Sequence, residues 1–122
     1  ESEVYKTQNV FNYIPTYVAT NSTEALTNTS TAVSVSTAIS TVDSSGGAVT
    51  VTLAAGVTGQ LKTIICTTAG NNITVTPAAT VGSGTTVVLD AAGESVQLLY
   101  TGTAWAAVAT SSFATNIATV IQ

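Results

Sequence analysis

Cys66 is the only cysteine in the chain, and no histidine accompanies it. Nucleophilic catalysis by a thiol or hydroxyl needs a base to take its proton, and histidine is the usual one. Ile64 and Ile65 precede Cys66, so it reads as a small apolar core residue. Asp90 and Glu94 are a conceivable carboxylate pair, but they flank the turn at Gly93, and acid–base work needs two carboxyls held across a cleft. Asp43-Ser44-Ser45-Gly46-Gly47 lacks the further carboxylates of a calcium loop. Gly82-Ser83-Gly84 has no lysine after it to complete a phosphate cradle. Three Asn-x-Ser/Thr sequons start at Asn21, Asn28 and Asn72, as expected by chance in a chain so rich in Thr and Ser. These residues give no catalytic set, no metal site and no cofactor site, and the expectation is a protein that is not an enzyme.

Composition narrows the classes further. The 122 residues form one ordinary domain with room for an arm. Hydrophobic residues make up 45% and charged residues 7%, so polarity comes from uncharged hydroxyls and amides. Lys6 and Lys62 are the only cations against a net charge of −4, too few to track a phosphate backbone, so no nucleic-acid partner is expected. Mean hydropathy is +0.45, which argues for folding rather than disorder. No apolar run reaches the length of a transmembrane helix, and no membrane partner is expected. The acidic start Glu1-Ser2-Glu3 does not read as a signal peptide, and the missing initiator Met reads as cleavage, trimming or excision from a longer chain.

Short β-branched runs separated by turn formers must position whatever this chain presents. Val33 to Ile39 alternates apolar and hydroxyl residues, which predicts a strand; Val49 to Leu53 alternates again after the Asp43–Gly47 turn. Leu61, Ile64, Ile65 and Cys66 put apolar side chains on both faces of one run, which predicts a central strand or one covered by a partner subunit. Ile73–Thr76 stops at Pro77, Thr85–Leu89 follows Gly84, and Ser95–Tyr100 turns at Gly102 into Ala104–Ala109. Phe113 to Ile121 reads as a last strand or a tail. Spacing of this kind predicts an all-β chain: a single antiparallel sandwich or jelly-roll-like domain over residues 31–122, with an extended N-terminal arm or docking segment over residues 1–30.

The arm expectation rests on Tyr5, Phe11, Tyr13, Ile14 and Tyr17, an aromatic cluster followed by a polar spacer. Aromatics supply large contact area at little entropy cost, which suits docking; an edge strand of the same domain is the alternative. Tyr100 and Trp105 flank the predicted hairpin tip. They read as rings that close one end of the core, with a glycan-stacking platform as the alternative. A surface so poor in ions leaves strand edges unprotected, a condition suited to permanent assembly with identical copies. A structural protein in a homo-oligomer or lattice follows from these residues.

A family resemblance sharpens that expectation. Gly59-Gln60-Leu61-Lys62-Thr63-Ile64, Asn72-Ile73-Thr74-Val75-Thr76-Pro77-Ala78, the run from Gly84 through Leu89, Ala91, Gly93, Ser95 and Leu98 to Tyr100, and Gly102-Thr103-Ala104-Trp105 occur in that order. Over residues 46–109 the chain resembles small β-structured virion proteins of tailed phages, namely capsid decoration or cement proteins and related fibre-tip domains. The resemblance implies a homotrimer on the capsid exterior that clamps neighbouring copies of the major capsid protein, with the arm residues as the clamp. A tail-fibre or spike domain that binds a host surface glycan is the other function it implies.

Overall fold

The computed structural model describes residues 22–112. They form nine strands and, among the described residues, no helix: β1 Thr23–Leu26, β2 Ala32–Val33, β3 Ile39–Asp43, β4 Val49–Leu53, β5 Leu61–Thr68, β6 Ile73–Pro77, β7 Val87–Leu89, β8 Ser95–Tyr100 and β9 Trp105–Ser111. A first sheet runs β1-β3-β5-β8-β9 and a second β2-β4-β6-β7. Side chains from both sheets meet in one core, including Val42, Ile64, Cys66, Val96 and Leu98 from the first and Val51, Leu53, Ile73 and Val75 from the second.

Alternation explains the strands. β4 buries Val49, Val51 and Leu53 and exposes Thr50 and Thr52. Each such aliphatic side chain gains about 1.5–3 kcal/mol on burial. A one-residue slip would send all three to water and both threonines inward, which fixes the register.

Strand direction departs from the expected antiparallel arrangement. The first six strands alternate between the sheets, so each pass from one sheet to the other and back returns in the same direction. β1–β3, β3–β5, β2–β4 and β4–β6 are consequently parallel. Only β5–β8, β6–β7 and β8–β9 are antiparallel. Both sheets are therefore mixed. Ile39 pairs with Thr63 and Val49 with Ile73, twenty-four residues on in each sheet. The sequence repeats at that spacing: Gly46, Thr50, Val51, Thr52, Ala54, Ala55 and Val57 return as Gly70, Thr74, Val75, Thr76, Ala78, Ala79 and Val81.

Two boundaries also differ. Residues 23–30, expected within the arm, supply β1 and the turn after it, with β1 hydrogen-bonded along β3. Residues 1–21, including Tyr5, Phe11, Tyr13, Ile14 and Tyr17, lie outside the described residues, as does the run from Phe113 to Ile121. The run from Val33 to Ile39 is not one strand: β2 ends at Val33 and β3 starts at Ile39. Side chains capture the intervening backbone groups. Both Glu24 carboxylate oxygens accept the Ser34 amide, at 2.9 and 3.0 Å. Gln60 Nε2 donates to the Val35 carbonyl, Ser22 Oγ to that of Ser36 and Lys62 Nζ to that of Thr37. Groups held this way cannot join a ladder, and the segment crosses between the sheets instead.

Candidate functional site: the two faces of strand β5

β5 is the middle strand of the first sheet, as its apolar content predicts, and its two faces differ in chemistry. Inward, Ile64 and Cys66 are fully buried in the core. Burial, with the nearby Glu94, Asp43 and Asp90 charges, pushes the Cys66 thiol above its ordinary pKa, so it stays protonated at neutral pH. Outward, Leu61 is exposed and Ile65 half-buried. The four residues expected to form one core or interface patch are thus divided between the two faces, as side-chain alternation requires.

Lys62 shares the inward direction with Ile64 and Cys66 and is completely buried. Its ammonium donates to the Thr37 carbonyl at 2.8 Å and to Thr37 Oγ1 at 2.6 Å. Burial lowers its pKa below the ordinary lysine value, while the Glu24 charge pulls the other way. Among the described residues Lys62 makes no ion pair. Its bonds to Thr37 hold the crossover against the end of the core. Ser40, paired with Ile64 across β3–β5, is also completely buried, and its hydroxyl has no hydrogen-bond partner among the described residues. Counting in twos back from Cys66 places Lys62 inward, and that signal alone could have located it.

On the outer face of the first sheet, Leu61 pairs with Leu99, and Ile65 with Ser95 on β8 and Thr41 on β3. Ile39, Thr63 and Gln97 complete the centre. This stretch holds no charged side chain. The nearest carboxylate in β3, Asp43, ends the strand and accepts the Ser45 amide at 2.9 Å. Hydrogen bonds from the Ser45 hydroxyl and amide hold that carboxyl below its ordinary pKa.

Tyr100 and Trp105 are core residues. Their rings meet edge to face, with centroids 5.1 Å apart and planes at 68°. Only 1% of Trp105 is exposed, and its Nε1 donates to the Ala54 carbonyl at 2.9 Å. A Cβ on Gly56 would stand 2.8 Å from Trp105 Cζ2, so the indole lies directly on that glycine. The Trp105 backbone amide donates to Ala79 O, and its carbonyl accepts from Val81. One residue therefore ties down the ends of both repeated passes. Neither ring offers a free face, which removes the glycan-stacking alternative for this pair.

The remaining candidates behave as turn chemistry. Glu94 Oε1 accepts the Asp90 and Ala91 amides at 2.8 and 3.2 Å, and the first of these bonds chiefly lowers its pKa. Glycine at 102 supplies the positive φ of 110° at the β8–β9 tip, where a Cβ would meet Thr58 Oγ1 at 2.8 Å. Among the described residues no group of three His, Cys, Asp or Glu side chains could hold a metal ion, and no helix is long and apolar enough to cross a membrane. No known family model matches the chain, and no curated protein matches it.

Proposed function

We propose that this protein is a non-enzymatic structural component of a virus particle: a tailed-phage head decoration or cement protein that sits on the capsid exterior as a homotrimer. In this role the two layers act as a rigid sandwich, and residues 1–21 clamp neighbouring copies of the major capsid protein. The outer face of the first sheet carries the reading. Ile39, Leu61, Ile65 and Leu99 sit there among Thr, Ser and Gln with no charge between them. A face of this composition loses little on desolvation and gains from apolar contact, so it suits permanent cover by identical copies. The resemblance of the ordered Gly, Pro, Tyr and Trp positions to those of virion proteins adds the particle to that reading.

The test is mass and binding together. The purified chain is expected to form trimers, alone or joined in pairs, to attach to expanded capsids of its own phage and to raise their resistance to heat. Leu61→Lys and Ile65→Lys, both on the outer face, should lower the mass without unfolding the chain. Deletion of residues 1–21 should abolish attachment and leave the strands folded. A wild-type chain that ignores those capsids would end the proposal.

A further inference from the structure

Among the described residues the first sheet is five strands wide and the second four. Where both end, β7 and β9 bound an open cleft of about 470 Å³ whose walls include Val88, Leu89, Val96, Ala107, Thr110 and Ser111. Burial shows how the layers end. Val96 and Leu98 on β8 lie in the core, yet their register partners on β9, Thr110 and Ala107, are exposed. The first sheet therefore overhangs the second by one strand. The start of β9 is occupied, because Trp105 bonds Ala79 and Val81. From Ala107 onward its outer edge has no ladder partner among the described residues, and β7 pairs only with β6.

We propose that a second copy of this chain fills the step. Its β9 lies beside β7 and beneath the overhanging β9, and a two-fold axis makes the same contact in reverse. A one-strand step is complementary to itself, so the second sheet of one copy continues into the first sheet of the other. Two layers of nine strands result, with the cleft closed on both sides. Charge agrees with this. β7 and β9 carry none, and Glu94, the one charged side chain among the described residues of the cleft wall, is fastened to the amides of the β7–β8 turn. Natural edges are blunted by charge, proline, shortness or bulges. β2 is two residues long and β1 carries Glu24, whereas β9 runs seven residues with a single bulge near Val108 as its protection. Val88 and Val108 are each half-exposed at this edge. The contact rests on the self-assembly reading above but uses a different surface, and it can link trimers in pairs.

Sedimentation of the intact chain tests the step. The expected species is even-numbered: a dimer, or six copies where trimers also form. Val88→Lys and Thr110→Lys, both solvent-facing, should each halve that mass with the circular dichroism spectrum unchanged. Val57→Lys, exposed but outside the cleft, should leave it unaltered. Monomers or trimers alone at high concentration would overturn the inference, as would indifference to both cleft substitutions. So would a monomer that dimerises only after truncation at Ser112, because residues 113–122 would then be the occupant. Capsid attachment is scored separately: even-numbered particles that fail to attach sink the virion role alone, and attachment by odd-numbered ones sinks the step alone.

Discussion

Replacing Trp105 by alanine should remove a large share of this protein's stability. Complete burial makes the indole the largest single side chain of the core. Truncating a buried Phe or Trp to Ala costs about 3–5 kcal/mol. The edge-to-face contact with Tyr100 adds about 0.5–1.5 kcal/mol. The lost bond to Ala54 O costs about 1 kcal/mol, at the low end because Ala54 is near solvent. These contributions overlap, so about 5 kcal/mol is expected, against a total stability of about 5–15 kcal/mol for a domain. Trp105→Phe keeps a ring against Tyr100 and loses the N–H, so about 1–3 kcal/mol is expected. Trp105 is the chain's only tryptophan, so urea unfolding is followed by far-ultraviolet circular dichroism rather than by its fluorescence. An alanine variant within about 1 kcal/mol of wild type would show that the ring lies outside the core, and the placement of β9 would fall with it.

The other predictions concern β5 and the glycine under the indole. Lys62 has a folded pKa below its ordinary 10.5. Between those two values the unfolded chain holds more protons, so stability climbs with pH across that window; below it, Lys62 is charged in both states and the burial penalty is constant. Urea midpoints taken from neutral to alkaline pH should therefore rise relative to those of Lys62→Met, and parallel curves would contradict the burial argument. The Cys66 thiol should ignore an aromatic disulfide reagent in the native protein and react in urea; fast native labelling would mean that the core face is open. Gly56→Ala forces a methyl against Trp105 and should cost about 1–3 kcal/mol, measured by the same urea assay. Equal stability there would argue against the close approach.

Alternation made β4, β6 and β8 legible in the sequence, because each holds a strict two-residue pattern with one face buried. Direction was not legible, since side-chain alternation is identical in parallel and antiparallel strands. The crossover from Ser34 to Ala38 imitates a strand locally. Its backbone partners are the side chains of Glu24, Gln60 and Lys62, which lie far away in sequence. β5 shows the same division at the candidate site. Its centrality followed from apolar residues at successive positions, but the assignment of Leu61 and Ile65 outward and Lys62 inward needed the register. Trp105 as a core ring was readable from its size and its place beside the hairpin tip. Its grip on both passes was not, because Ala54 lies fifty-one positions upstream.

The equal twenty-four-residue spacing of the pairings Ile39–Thr63 and Val49–Ile73 makes this architecture winding rather than mosaic. Gene duplication of one such unit adds a strand to each layer and leaves every older neighbour in register, as happens in solenoids. Length can thus change in whole increments between β1 and β2 at one end of the sheets and the hairpins at the other. A chain engineered with a second copy of residues 46–69 inserted ahead of Gly70 would grow by one coil, with Trp105 still fastening the last two.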